Sequence, residues 1–312
     1  MHMRSTEALT VDQASTVSAA RRRRNRAQRT EQLIALAAVL PAFLLVASLM
    51  FYPICYAIWI SFNNSDGVNF TFIGLQNYSS LLTDPLVHEV FLVNLKFLVA
   101  VPIVIFISAV CSVLLYEAIW GWRFFRVIFF IPNVLSAAVI GLVFRTAFSY
   151  DGPVNALLKA FGKTPVDVFS QPNLAIGVIV LALVWSGFGY QTLILLNGLL
   201  AIDPDVFAAA QLDGATWWQR FWFITLPNVR SHLAFVSIIN ILYTFTSLFG
   251  FIFVMTAGGP LYSTTTLDYL VYLKAFTSFE LGKGSALAIM IFGLIAILTL
   301  LQVRFVRRQE SE

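Results

Sequence analysis

Long apolar segments constrain the fold of this chain more than any other feature. Six stretches of about 20 residues or more carry almost no charge, which is the length an α-helix needs to cross a bilayer. They are Leu33–Phe62, Phe91–Tyr116, Phe124–Phe148, Leu174–Leu200, Leu233–Ala257 and Ala286–Phe305. With 59% hydrophobic and 12% charged residues, the chain has more apolar surface than one water-soluble core can bury. The sequence therefore predicts an all-α integral membrane protein with six transmembrane helices.

The first stretch is the longest, and it contains Pro41 and Pro53. Because proline lacks an N–H donor and its ring collides with the preceding turn, we expect these residues to bend or break the first helix. The stretch is too long for the apolar part of a signal peptide, so we interpret it as a retained anchor. Cys55 and Cys111 both lie in apolar stretches, which indicates buried thiols rather than a disulfide.

The positions of Lys and Arg predict the orientation, because cytoplasmic segments carry an excess of both. With the N-terminus inside, 14 of the 20 basic residues fall on that side and six on the other. Half of the 14 are arginines ahead of the first span, four of them consecutive at Arg21–Arg24. Both termini are therefore expected in the cytoplasm. The basic arm is interpreted as a topology signal and lipid headgroup contact, and no nucleic-acid partner is expected.

The domain organisation follows from these spans. Residues 1–30 are polar and arginine-rich and are predicted to form a disordered cytoplasmic arm. Residues 31–308 form the six-span domain, and residues 309–312 a cytoplasmic tail. The external loops are expected to form compact caps, and they are Asn63–Val90, Ser149–Asn173 and Gly258–Ser285. The largest cytoplasmic loop between spans covers residues 201–232.

The stretch VFAAAQLDGATWWQRFWFITLPN, Val206–Asn228, differs from the apolar segments around it. Asp203-Pro204 is an N-cap followed by proline at the first helical position, and Gly214 is placed to end a short helix. Leu226-Pro227 is expected to stop a second amphipathic piece before the fifth span. The tryptophans fit a helix lying in the headgroup zone, whereas the small residues fit a rigid docking element for a partner. The residues alone leave both interpretations open.

The spacing in this loop resembles the EAA motif of the membrane subunits of ABC importers. That motif reads Glu-Ala-Ala, three residues, Gly, nine residues, Ile-x-Leu-Pro. The matching residues are Ala208, Ala209, Ala210, Asp213, Gly214, Ala215, Ile224, Leu226 and Pro227. The chain departs from the pattern twice, since Ala208 replaces the glutamate and Ser231 replaces a proline common four residues after the Leu-Pro.

Two further blocks narrow the resemblance. They are TAGGPLYSTTTLDYLVYLKAF, from Thr256, and WSGFGYQTLILLNGLLAIDPD, from Trp185. Both are similar to the carbohydrate-uptake permeases, and within them to the maltose and glycerol-3-phosphate type. The resemblance covers roughly Leu33–Arg307.

The resemblance implies a type I ABC importer permease fold in a bacterial inner (cytoplasmic) membrane. The loop 203–228 would form a cytoplasmic coupling helix seated in a groove of an ATPase. The implied partners are a second homologous permease subunit in a heterodimer, two copies of the ATPase, and an extracytoplasmic sugar-binding (lipo)protein. The chain has no Gly-x-x-x-x-Gly-Lys-Ser/Thr phosphate loop. We therefore expect ATP and Mg²⁺ to be bound by the partner ATPase, with no cofactor, catalytic residue or metal in this chain.

Polar residues inside spans are costly in lipid, which makes them candidates for the substrate path. The candidates in the fourth span are Trp185, Gly187, Tyr190 and Gln191, and those in the fifth are Asn240, Tyr243, Thr244 and Ser247. The fifth-span set recurs at i, i+3, i+4 and i+7, on one helical face. Rings beside amides and hydroxyls suit an uncharged sugar, but hydrogen bonds between helices and close glycine packing would explain the same residues. In the resembling maltose permease, the sugar site lies on these two spans.

Neither of these spans has Lys or Arg in its centre, which favours a neutral sugar or oligosaccharide. Glycerol-3-phosphate or another polyol derivative is the alternative substrate. An ATP-independent secondary transporter or a channel would need charges within the membrane, whereas Lys96, Glu117 and Arg145 lie at span ends. An integral-membrane enzyme would need clustered His, Asp or Cys, which are missing from the sequence. The Gly-Gly-Pro…Thr-Thr-Thr-Leu block argues against a permease for amino acids, peptides or phosphate.

Overall fold

The computed structural model describes residues 34–118 and 120–310. The predicted arm, residues 1–30, and the last two residues of the predicted tail lie outside these ranges. The α-helices are α1 Ile34–Ser61, α2 Gln76–Thr83, α3 Pro85–Phe97, α4 Ala100–Tyr116, α5 Trp122–Val134, α6 Ala137–Ala147, α7 Pro153–Ala160, α8 Pro172–Leu199, α9 Pro204–Leu212, α10 Trp217–Arg220, α11 Leu226–Asn228, α12 Arg230–Thr246, α13 Phe249–Met255, α14 Leu267–Tyr272 and α15 Leu281–Glu310. Also present are two π-helical segments, Phe221–Thr225 and Leu273–Thr277, and two strands, β1 Asn63–Ser65 and β2 Phe70–Phe72.

The described helices account for the predicted spans, but two of the spans are broken. Those long and apolar enough to cross a membrane singly are Ile34–Ser61, Pro85–Tyr116, Pro172–Leu199 and Leu281–Arg304. The third span consists of α5 and α6, bent by 98°, and the fifth of α12 and α13, bent by 48°. Counting each bent pair as one span gives the six predicted from the sequence. The apolar stretches did not predict the two bends.

Each bend has a local cause. Pro132 lies in the last turn of α5, and the chain then becomes extended at Leu135. Ser136 starts the next helix, because its hydroxyl accepts a hydrogen bond from the Val139 amide at 3.3 Å. At the second bend α12 ends at Thr246, and Ser247 leaves the helical conformation with φ −135°.

Of the predicted bend or break in the first span, the break is wrong, because α1 continues through Pro41 and Pro53. Proline has a helix-compatible φ and removes only one N–H donor, which membrane helices tolerate. The prediction of buried thiols also needs correction, since Cys55 is exposed and Cys111 is half-buried. Both cysteines are free, and a thiol is apolar enough to be solvated by lipid as well as by a protein core.

The two short strands were not predicted, and they qualify the otherwise all-α fold. The strands are antiparallel, with Asn63 opposite Phe72 at one end and Ser65 opposite Phe70 at the other. The buried Asn77 side chain ties this hairpin to α2, because its amide donates to the carbonyls of Ser61 and Asn63, both at 2.9 Å. Strands of three residues are too short to show an alternating pattern in sequence.

From Ile58 onward, the core is built by two close helix pairs. Helix α4 packs along α8, and α6 packs on α13. The largest buried cluster joins α3, α6, α8 and α13, and it includes Phe97, Ile140, Ile179, Phe251 and Met255. A separate cluster joins the ends of α4 and α8 to the segment that follows α9, through Val113, Leu199 and Phe221. These contacts position the two sites described next.

Candidate functional site

A cavity of about 150 Å³ lies between α4, α8 and α12, next to the two bends. Six of the eight residues predicted for the substrate path line it, and they are Gly187, Tyr190, Gln191, Asn240, Tyr243 and Thr244. Trp185 lies elsewhere, with its ring centroid 5.7 Å from that of Phe144. Ser247 lies beyond the end of α12, so it leaves the helical face on which the prediction placed it.

The cavity also has polar residues that sequence reasoning missed. Asn133 lines it from the bend between α5 and α6, and Ser186 lines it from α8. Both are polar residues inside predicted spans, so the criterion that selected the other candidates could have found them. The charged residue types Asp, Glu, Lys, Arg and His are absent from the described lining of this cavity.

Hydrogen bonds hold the polar wall of the cavity in place. The Gln191 Nε2 donates to the Asn240 Oδ1 at 2.8 Å, which joins α8 to α12. The Asn240 Nδ2 donates to the Val236 carbonyl at 2.6 Å, and the Thr244 hydroxyl donates to the Asn240 carbonyl at 2.9 Å. Gln191 is buried, at 5% exposure, and its Oε1 has no hydrogen-bond partner among the described residues. A buried acceptor at a cavity wall suits a ligand hydroxyl.

The helices beyond the two bends close one side of the cavity, through Ala137 and Ile140 of α6 and Phe251 of α13. Both ends of α13 are held by charged side chains. The Asp268 carboxylate accepts a hydrogen bond from the Phe249 amide at 2.7 Å, and Arg145 donates to the Val254 carbonyl at 2.9 Å. A negative group at a helix start and a positive group at its end both complement the helix dipole.

Burial raises the pKa of the Asp268 carboxyl, and hydrogen bonds from Thr266 and from the Phe249 and Tyr269 amides oppose that rise. Asp268 belongs to the loop predicted to lie outside the membrane.

None of the described residues forms a group of three or more His, Cys, Asp or Glu side chains that could hold a metal ion.

The second site is the loop of residues 201–232, and its first helix is built as the sequence predicts. The Asp203 carboxylate accepts from the Asp205 amide at 3.0 Å, and Pro204 is the first residue of α9. Gly214 ends the helix with φ +79°. The Ala215 amide donates to the Ala210 carbonyl at 3.0 Å, and the Gly214 amide donates to the Gln211 carbonyl at 3.1 Å. This pair of bonds is a Schellman motif, which satisfies the last carbonyls of the helix.

Helix α9 is exposed on most of its surface, and none of its residues is buried. Ala208, Ala209 and Asp213 are exposed and Ala210 is half-buried. Val206 is 43% and Leu212 89% exposed. One contact of α9 to the rest of the chain is made by Phe207, whose ring centroid lies 5.2 Å from that of Tyr116 at the end of α4. The helix thus presents a surface of small and apolar side chains that another molecule could cover.

The segment after Gly214 differs from the prediction at its end. Leu226-Pro227 does not stop the second piece, which continues from α10 through a π-helical segment into α11. The π turn explains this, because the Leu226 amide bonds to the Phe221 carbonyl five residues back, and the following Pro227 needs no donor. The break comes at Val229, which is buried at 2% exposure. Ile224 and Leu226 are half-buried, while Pro227 is exposed.

A family described as "Binding-protein-dependent transport system inner membrane component" matches residues 89–311. Three similar proteins cover most of the chain. The sn-glycerol-3-phosphate transport system permease protein UgpA of Brucella abortus biovar 1 (strain 9-941) is 30% identical over 87% of this chain and 96% of the relative. The sulfoquinovosyl glycerol transport system permease protein SmoG of Agrobacterium fabrum is 31% identical over 90% and 92%. The multiple sugar-binding transport system permease protein MsmF of Streptococcus mutans serotype c is 31% identical over 83% and 90%.

Two solved structures share the fold. A chain of a bacterial ABC transporter involved in the import of the acidic polysaccharide alginate superposes with a TM-score of 0.79 at 18% identity. A chain of the bacterial alginate ABC transporter in complex with alginate pentasaccharide-bound periplasmic protein gives a TM-score of 0.76 at 19% identity. Each match covers 89% of this chain and 96% of the other. At this identity the likeness concerns the fold alone.

Proposed function

Because the chain belongs to the family of binding-protein-dependent transport system inner membrane components, we propose that it forms half of the translocation path of an ATP-driven ABC sugar importer. It has the type I permease fold expected from the sequence. The observation that carries the proposal is the presence on one chain of an uncharged polar cavity and an exposed, rigidly capped helix. The first is suited to a passing solute and the second to docking on a motor subunit.

The proposed substrate is a neutral sugar or oligosaccharide. All three relatives above are named for sugars or glycerol derivatives. The cavity offers amide and hydroxyl groups and the Tyr190 and Tyr243 rings, and its described lining has no cationic side chain to pair with a phosphate. Glycerol-3-phosphate or another polyol derivative is the second candidate, because UgpA is named for that substrate.

The proposed partners are those that an importer of this kind needs. A separate ATPase, present in two copies, would bind ATP and Mg²⁺ and receive α9, so this chain would need no cofactor of its own. A second homologous permease would complete the path, and an extracytoplasmic sugar-binding protein would deliver the substrate. Both termini and the loop of residues 201–232 would lie in the cytoplasm, as the distribution of Lys and Arg predicts.

The experiment that tests this proposal uses the complete complex in lipid vesicles. ATP hydrolysis is measured with candidate binding proteins and a panel of neutral sugars, with glycerol-3-phosphate in a parallel arm. We expect one neutral sugar to stimulate hydrolysis and to be taken up. Stimulation by glycerol-3-phosphate alone would select the second candidate, and uptake without the ATPase would contradict the ATP-driven mechanism.

Gln191→Met should weaken the response to the sugar, because it removes the unpaired Oε1 acceptor and the bond to Asn240. We expect the sugar concentration for half-maximal ATPase stimulation to rise about fivefold, since a lost neutral hydrogen bond costs about 1 kcal/mol. The control is Thr192→Val at the next position of α8, where the hydroxyl donates to the Phe188 carbonyl at 2.7 Å, away from the cavity. Equal shifts in both variants would show that the effect comes from helix packing.

A further inference from the structure

The end of α4 is joined to the loop of residues 201–232 by one carboxylate. The Glu117 Oε1 accepts from the Arg220 Nη2 at 3.3 Å, and the Glu117 Oε2 accepts from the Trp217 Nε1 at 3.1 Å. Both carboxylate oxygens are therefore used, by two residues of α10 about 100 positions further along the chain.

The position of Glu117 makes this pairing more than a surface contact. Glu117 is the C-cap of α4, where the helix dipole disfavours a negative charge unless a cation compensates it. The Arg220 side chain is 17% exposed and the Glu117 side chain 33% exposed. Charge-assisted bonds at this degree of burial are less screened by water than those between fully exposed groups.

Arg220 contacts the turn at the end of α9 as well as α4. Its Nη1 donates to the Ala215 carbonyl at 3.1 Å, and Ala215 closes the Schellman motif at the end of α9. The turn between α9 and α10 is fixed by a capping box, in which the Thr216 amide donates to the Gln219 side chain at 2.7 Å and the Gln219 amide donates to the Thr216 hydroxyl at 3.3 Å. One guanidinium thus connects the end of α4 to the end of α9.

The opposite end of α4 forms part of the cavity wall. Ala100, Val101 and Val104 lie in its first turns and line the cavity. With 17 residues, α4 spans about 25 Å at 1.5 Å per residue. Its Ser108 hydroxyl donates to the Phe188 carbonyl of α8 at 2.9 Å, one of the contacts that pack the two helices along each other. Helix α4 is therefore one unbroken helix that runs from the loop of residues 201–232 to the cavity wall.

We propose that Glu117 and Arg220 are positioning residues that transmit a displacement of α9 to α4 and so to the cavity wall. This inference rests on the proposed function. Apolar packing, including the Phe207–Tyr116 ring contact, holds the loop against α4 without fixing a direction, whereas the bonds of Arg220 join the end of α4 to the end of α9 through defined atoms. Without the pair, closure of the ATPase would move α9 while α4 follows incompletely, so ATP would be hydrolysed with less sugar moved.

The experiment uses the complete complex in vesicles and measures sugar uptake and ATP hydrolysis in the same sample. Glu117→Gln and Arg220→Gln are expected to lower the sugar moved per ATP about fivefold or more, within the usual range of coupling between sites. The double variant should lose less than the two single losses combined, because each single change already breaks the Glu117–Arg220 pair. Arg220→Lys, which keeps the charge, should recover part of the ratio. Arg123→Gln is the control, since Arg123 lies over the Trp122 ring instead.

Co-purification of the ATPase with each variant shows whether the complex has assembled. If a Gln variant fails to assemble, Trp217→Phe decides, because it removes the indole donor to Glu117 and keeps an aromatic ring against Phe221. An unchanged sugar-to-ATP ratio in the assembled variants, or losses that add in the double variant, would overturn the inference. A wild-type complex that moves no sugar, or moves it without ATPase, would instead overturn the proposed function.

Discussion

Gly214→Val is expected to lower ATP-driven sugar uptake by the reconstituted complex about tenfold, because a β-branched residue in a left-handed conformation costs about 1–2 kcal/mol. Gly214 has φ +79° and no atom within 4 Å of an added Cβ. The strain therefore comes from the backbone alone, and the chain can relieve it only by giving up the Schellman motif. That would change the direction in which α9 leaves the loop, and with it the fit to the ATPase. Uptake and ATP hydrolysis in vesicles measure the effect.

Gly162→Val provides a closely matched control. Gly162 has φ +72° and open space around it. It ends α7 with the same pair of bonds, from the Gly162 amide to the Lys159 carbonyl and from the Lys163 amide to the Leu158 carbonyl, both at 2.9 Å. It lies in a loop predicted to be external, far from the proposed ATPase. Equal losses of uptake in both variants would mean that strain at any helix end disables the protein, which would remove the support for a special role of Gly214.

Gly189→Val is expected to prevent assembly. A Cβ at Gly189 would lie 1.6 Å from the Phe129 carbonyl oxygen and 2.4 Å from its carbon, so α5 would have to move away from α8. Forcing atoms into a packed interface costs about 1–3 kcal/mol even where side chains can adjust, and here the obstacle is backbone. We expect little folded protein in the membrane fraction, measured by detergent solubility and limited proteolysis.

Gly177→Val in the same helix is the control for this prediction. No atom lies within 4 Å of an added Cβ there, so this variant should accumulate like the wild type. Normal accumulation of Gly189→Val would show that α5 does not cross α8 at this position, and the shape of the cavity wall would then have to be revised.

Local sequence predicted the parts of the structure that local forces determine. The apolar stretches located the spans because a span needs length and hydrophobicity only. Asp203, Pro204 and Gly214 predicted both ends of α9, because capping depends on neighbouring residues. Local residues also make the two bends, but their angles depend on packing against other helices, and at the second bend a distant carboxylate, Asp268, binds the start of α13. Pro41 and Pro53 leave α1 unbroken, because a proline removes only one N–H donor from a membrane helix.

The candidate sites were predictable to a similar extent. The polar stripe on two spans located most of the cavity, because buried polar groups in a membrane need a reason to be there. Ser247 was misplaced since nothing in the sequence shows where α12 ends. The link between Glu117 and Arg220 had no sequence signal, because the two residues are 103 positions apart and only the packing of α4 against the loop brings them together.

The most direct test of the proposed function is uptake of a labelled sugar into vesicles that contain trapped ATP and Mg²⁺, with the binding protein outside. The permease pair is prepared with and without the ATPase. We predict concentrative uptake that requires both the ATPase and hydrolysable ATP, with Gly162→Val close to wild type and Gly214→Val strongly reduced. Equal uptake with and without the ATPase would contradict the proposal and would leave α9 as a helix at the membrane surface with no coupling role.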